Sequence, residues 1–109
     1  MPRGHQTSMN VCLVWLGDPS AARHVLGEPG PWREVREAGP GLLLVETYET
    51  VSRVYHEVKW MLPDACPLLV APVGWRPKAR GLAAGTVSWL RNRLALPDRT
   101  RPDRTEEAG

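Results

Sequence analysis

Three short, nearly continuous apolar runs limit what this chain can fold into: Val11-Cys12-Leu13-Val14-Trp15-Leu16, Leu42-Leu43-Leu44-Val45, and Pro67-Leu68-Leu69-Val70-Ala71-Pro72-Val73. Each is too short for a stable helix, holds β-branched or large apolar side chains, and ends at Gly, Pro or a charged residue, so each reads as a buried strand. Continuous rather than alternating hydrophobicity suggests that both faces of the strand are covered, which makes Trp15 a core residue. Pro67 and Pro72 fall near the ends of the third run, where a missing backbone donor is tolerated.

The segments between the runs carry helix signals. Asp18-Pro19 is an N-cap followed by proline at the first helical position, and Gly27 stops a helix over 19–26. Thr47 reads as the cap of a second helix with Glu49 in its first turn. There Val51, Val54, Tyr55, Val58, Met61 and Leu62 recur at helical spacing until Pro63 ends it. A last helix over 82–94 takes its inner stripe from Ala83, Val87, Leu90 and Leu94. Residues 32–38 fit either a short helix or a strand. The strand is favoured because Gly39-Pro40-Gly41 sits where a hairpin to Leu42 needs its turn.

Strand, helix, strand, strand, helix, strand and one further helix give an α+β chain: a ferredoxin-like βαββαβ sandwich with an additional C-terminal helix. If residues 32–38 were helical, a three-stranded α/β layer would replace it. The boundaries are a flexible leader at 1–9, one domain at 10–96, and a tail at 97–109 that holds no large apolar residue and is expected to be disordered. The first and last strands should pair antiparallel, which sets Cys12 and Cys66 at opposite ends of the sheet and beyond bridging distance.

At 109 residues with 42% hydrophobic and 24% charged content, neither a fibre nor a fully disordered chain is expected. No apolar stretch reaches the ~18 residues that cross a bilayer, and the leader lacks a secretory pattern. A cytoplasmic protein with reduced cysteines, no membrane partner and no bound cofactor or metal follows as the expectation. The glycines and cysteines form no phosphate-loop, dinucleotide or zinc pattern. His5 lies in the leader and His24 on a short helix. Tyr55, His56 and Glu57 are consecutive, so on a helix their side chains diverge by ~100° per residue and no catalytic set is predicted.

The formal net charge of +2 conceals a segregation. Residues 10–64 hold five basic and eight acidic residues, whereas 65–97 hold Arg76, Lys78, Arg80, Arg91 and Arg93 and no acid. With Trp75 beside the first three, these cations and a stacking ring are what a nucleic-acid or polyanion surface uses. A solvated surface and a helix C-terminus that favours cations account for the same residues without a ligand, and the opposed charges of the two portions can steer two copies together. Trp60 and Trp89 are the candidate interface residues, because tryptophan concentrates at interface hot spots.

The strings Val11-Cys12-Leu13-Val14-Trp15-Leu16-Gly17-Asp18, Gly41-Leu42-Leu43-Leu44-Val45-Glu46-Thr47, Leu68-Leu69-Val70-Ala71-Pro72-Val73-Gly74-Trp75, Gly81-Leu82 and Ser88-Trp89-Leu90 together resemble small ferredoxin-like proteins of the CRISPR spacer-acquisition subunit and SinR-like type. The likeness spans most of 10–94 and is one of pattern. It implies the fold and a habit of dimerising. Those nucleases carry an aspartate at the end of the first strand, where this chain has Leu16. Asp18, two residues on, reads as a helix cap, so the resemblance does not bring a metal site with it.

The function read from the sequence is that of a small non-enzymatic interaction protein acting through self-association or a protein partner, most simply as a homodimer. One alternative is a nucleic-acid-binding protein, or one that meets an acidic protein, through Trp75 and the five cations. Another is a small dimeric enzyme or ligand-binding protein with its pocket between sheet and C-terminal helix.

Overall fold

The computed structural model describes residues 9–96; the expected leader up to residue 8 and the expected tail at 97–109 lie outside them. In chain order the elements are β1 (Asn10–Leu16), a 3-10 turn (Pro19–Ala21) running into α1 (Ala22–Leu26), β2 (Glu34–Gly39), β3 (Leu42–Thr47), α2 (Val51–Met61), β4 (Leu68–Val73) and α3 (Thr86–Arg93). Residues 34–39 are a strand, which removes the three-stranded alternative. The four strands form one sheet in the order β2-β3-β1-β4, and every neighbouring pair is antiparallel. The chain is therefore a small α+β protein.

Local chemistry explains most element ends. Asp18 Oδ1 accepts from the Ser20 backbone N–H at 3.1 Å and from its hydroxyl at 2.8 Å, closing the turn that starts α1. The cap of α2 is Thr50, whose hydroxyl accepts from the Arg53 N–H at 3.1 Å, and not Thr47. Thr47 is the last residue of β3. Its buried hydroxyl donates to the Pro31 carbonyl at 2.6 Å and accepts from the Glu49 N–H at 2.9 Å, so it holds the strand exit rather than a helix start. Gly41 closes the β2–β3 hairpin at φ 72°, and a Cβ there would lie 2.6 Å from the Leu16 carbonyl oxygen. The close approach has a purpose, since the Leu16 N–H donates to the Gly41 carbonyl at 2.7 Å and fastens the hairpin to β1.

Period-2 alternation sorts the strands into two faces. Cys12, Val14 and Leu16 of β1, with Leu43 and Val45 of β3, point to one side, where α1 and α2 bring Ala22, Val25, Val54 and Val58 to complete the main core. Val11, Leu13 and Trp15 point to the other side with Leu42 and Leu44, where α3 supplies Trp89 and Leu90. The first face is closed. The second is covered only in part, and Trp15 is 44% exposed there. The expectation that β1 is buried on both faces, with Trp15 in the core, is thus corrected. An eight-residue helix lying over β2 and β3 does not reach the far corner of β1 and β4.

The inner stripe of α3 is also shifted from the expected one. Thr86, Trp89 and Leu90 are buried while Val87 is exposed, and the helix begins at Thr86, so Leu82 and Ala83 belong to the preceding loop. Cys12 pairs with Pro72 and Leu16 with Leu68 across β1 and β4, which sets Cys66 beyond the opposite end of the strand from Cys12. Both cysteines are free.

Candidate functional site

The second sheet face is where apolar surface and most of the predicted cations meet. Its register is explicit. Leu42, Trp15 and Leu69 lie side by side on β3, β1 and β4, and Leu44, Leu13 and Ala71 form the next row. Leu69 is 55% exposed, so with Trp15 it forms an outward apolar corner. Singly exposed apolar residues need no explanation; two large ones in direct cross-strand register, backed by half-buried Leu13 and Leu42, make a patch that does.

Beside this corner, residues 74–85 run from the end of β4 across the face to α3. The segment is tied at both ends. The Arg76 N–H donates to the Ala95 carbonyl at 2.9 Å, its Nε to Leu94 O at 2.7 Å and its Nη2 to Arg91 O at 3.2 Å. At the other end the Ala83 N–H donates to Ala38 O at 2.7 Å, and Arg36 Nη2 to Ala84 O at 3.0 Å. Between these ties Pro77, Lys78, Ala79 and Arg80 arch over the sheet and bound a groove of about 640 Å³. Leu13, Leu42, Leu44 and Leu90 line it below, Val73, Trp75 and Leu82 line its walls, and among the described residues no acidic side chain lines it. Trp75 is 49% exposed.

The predicted site residues therefore divide. Trp75, Arg76, Lys78 and Arg80 all line the groove. Arg76, however, commits its side chain to the carbonyls at the end of α3, leaving Lys78 and Arg80 as the groove's outward cations. Arg91 is exposed on α3 away from the groove lining.

Arg93 has a structural post. Its Nη2 reaches Glu34 Oε1 at 3.0 Å, its Nε lies 3.0 Å from Glu46 Oε1 off the hydrogen-bonding direction, its Nη1 donates to Trp89 O at 3.1 Å, and its guanidinium sits 4.1 Å from the Trp89 ring centroid. Trp89 Nε1 donates to Glu34 Oε2 at 2.9 Å. With 6% of its surface exposed, Trp89 is a core residue rather than a free interface residue, because this clamp turns it onto the sheet. Trp60, by contrast, is 75% exposed on α2.

The helix residues that invite a catalytic reading are tied locally. His56 Nδ1 is 2.8 Å from the Ser52 carbonyl oxygen, its ring meets Tyr55 edge-on at 5.3 Å, and Glu57 takes Arg53 Nε at 3.3 Å. Among the described residues no three histidine, cysteine or carboxylate side chains gather as a metal set. Burial pushes the Cys12 thiol up from its ordinary pKa.

Sequence reasoning did not find Leu13, Leu42, Leu44 and Leu90 as groove residues, because each reads equally well as core. Only the direction of the strand alternation and the short reach of α3 distinguish the two roles. Among the described residues no helix is long and apolar enough to cross a membrane. Compared with known proteins, the chain matches no family model, and no curated protein or solved structure resembles it significantly.

Proposed function

We propose that this chain is a small, non-enzymatic protein of ferredoxin-like architecture that acts by association, as a homodimer formed through the uncovered corner of its second sheet face. The observation that carries the reading is the exposed cross-strand pair Trp15 and Leu69 at the corner of the second sheet face that α3 leaves uncovered. Two such faces can pack about 10 Å apart with their side chains interdigitated. A two-fold arrangement uses the same patch on both copies and closes on itself, which leaves no apolar face to propagate.

The strand order β2-β3-β1-β4, the antiparallel pairing throughout, and helices α1 and α2 packed on one face support the ferredoxin-like assignment. The resemblance to spacer-acquisition and SinR-like proteins agrees with a dimer and is part of the proposal. Nuclease chemistry is not, because Leu16 is buried in the core where the aspartate would stand and the Asp18 carboxylate is engaged by Ser20. Two free cysteines suit a reducing, cytoplasmic setting.

Light scattering at micromolar concentration tests the reading. The expected mass is near twice 12.1 kDa. Leu69→Lys places a charge in an exposed position, so the fold survives and the mass should fall to that of one chain. A wild-type monomer throughout the concentration range, or a Leu69→Lys variant that remains dimeric, would sink the proposal.

A further inference from the structure

We infer that the groove under residues 77–80 is a binding site for a free single-chain amphiphile with an anionic head group, its hydrocarbon on the leucines of the sheet and its head group at Lys78 and Arg80. The inference goes beyond the homodimer reading and does not rest on it, since neither Trp15 nor Leu69 lines the groove.

Shape and chemistry point the same way. At about 640 Å³ the groove lies within the ~300–1,000 Å³ range of small-molecule sites, which are mostly apolar with a few placed polar groups. Here the apolar part is Leu13, Leu42, Leu44 and Leu90. Among the described residues, the charged side chains that line the cavity are all cationic. Charge complementarity therefore selects an anionic head and disfavours a cationic one. The roof is held in place, because Arg76 fastens one end to the carbonyls of Leu94 and Arg91, and Arg36 fastens the other to Ala84. A site fixed before binding loses less in ordering when the ligand arrives. A hydrocarbon chain suits the lining better than a nucleotide does. The floor is four leucines, whereas single-stranded nucleic acid needs successive stacking rings along a basic track, and among the described residues Trp75 is the one aromatic side chain that lines this groove.

Isothermal titration of the full chain, with ligands below their micelle concentrations, decides the matter. Decanoate is expected to bind with one site per chain. Octanoate should bind more weakly by about fourfold for each methylene removed, the value of a buried CH₂. Decanol and decylammonium should bind at least tenfold more weakly than decanoate. Lys78→Gln with Arg80→Gln should cost decanoate about tenfold and leave decanol unchanged. Ala79→Trp fills the roof at an exposed position and should abolish binding, with an unchanged urea midpoint as the control for folding.

Equal affinity for decanoate and decylammonium would overturn the inference. So would decanoate binding that is indifferent to Ala79→Trp, or binding of a thymidylate decamer at these residues in place of decanoate. Such a failure leaves the homodimer proposal untouched, because that is read from mass and from variants outside the groove.

Discussion

Replacing Arg93 by glutamine separates a fold-bearing arginine from a ligand-bearing one. In the folded chain its guanidinium meets Glu34 at 3.0 Å, Glu46 at 3.0 Å, the Trp89 carbonyl at 3.1 Å and the face of the Trp89 ring at 4.1 Å. The contributions differ in size. Glu34 is well exposed, so its pair with Arg93 is worth about 0.2–1 kcal/mol. Glu46 is nearly buried, and losing Arg93 leaves its carboxylate poorly solvated with only the largely exposed Arg33 guanidinium at 3.9 Å, at a cost of about 1–3 kcal/mol. The cation–π contact adds about 0.5–1 kcal/mol. These losses share partners and do not simply add, and about 3 kcal/mol is the expected total. Urea unfolding at fixed protein concentration should show this as a midpoint lowered by about 1–2 M with little change in slope. Fixing the concentration matters because a dimer's apparent stability depends on it. In a Glu46→Gln background the same change should cost at least 1 kcal/mol less, since the stranded charge is gone. The exposed cations give the contrast, and Lys78→Gln or Arg80→Gln should stay within about 0.5 kcal/mol of wild type. If Arg93→Gln also lies within 0.5 kcal/mol, the clamp is not what fixes α3 and the assignment of Arg93 to the fold fails.

Three further perturbations follow from the main core and from the hairpin. In the native state a thiol reagent should label Cys66 and spare Cys12, which should react only on unfolding; equal native rates would mean that the first sheet face is open. Burial raises the Cys12 thiol pKa, so the folded chain keeps that proton while the unfolded chain loses it. Stability should therefore fall as pH rises past the ordinary thiol value of ~8.5, by up to ~1.4 kcal/mol per pH unit, and Cys12→Ala should remove that component. At Gly41 a Cβ meets both a positive φ and the Leu16 carbonyl oxygen, so Gly41→Ala should cost about 1–3 kcal/mol in thermal or urea unfolding. Gly39→Ala, where nothing lies within 4 Å, should cost well under 1 kcal/mol, and similar losses at both positions would refute the steric argument.

The strands were legible because hydrophobic runs bounded by breakers leave few other readings, and the hairpin turn chose strand over helix for β2. Which way each strand faces was not legible. Val11 to Leu16 are apolar at both parities, so nothing in the string says that Trp15 points to the less protected side. A missing helical turn, not a missing apolar residue, exposes it. The stripe of α3 was hidden for a different reason. Its inward positions are Thr86, Trp89, Leu90 and Arg93, and two of those four are polar: Thr86 is buried, and Arg93 is half-buried against Glu34 of β2 and Glu46 of β3. Hydrophobic periodicity therefore pointed to Val87 instead. In the same way Thr47 and Thr50 are equivalent as sequence caps, and only the extra residues that β3 spends in the sheet decide between them.

Charge segregation along the chain is closed in part by the fold, and this changes what the arginines mean. Glu34 and Glu46 from the acidic portion receive Arg93 from the acid-free one, so the separation read along the sequence becomes a contact across the second face. Arg36, Arg76 and Arg93 each donate to a backbone carbonyl of α3 or of the residues flanking it. An eight-residue helix is too short to hold itself. A guanidinium presents up to five donors in a fixed plane and can join a carbonyl to a carboxylate or to two carbonyls at once, which an ammonium on a flexible stem does less well. Twelve arginines against two lysines need no functional cause, yet at these three positions the choice has a physical consequence. With Arg76 and Arg93 committed to holding α3 in place, the cations left on the groove are Lys78 and Arg80. Those two charges above the leucines are what the proposed head-group site rests on.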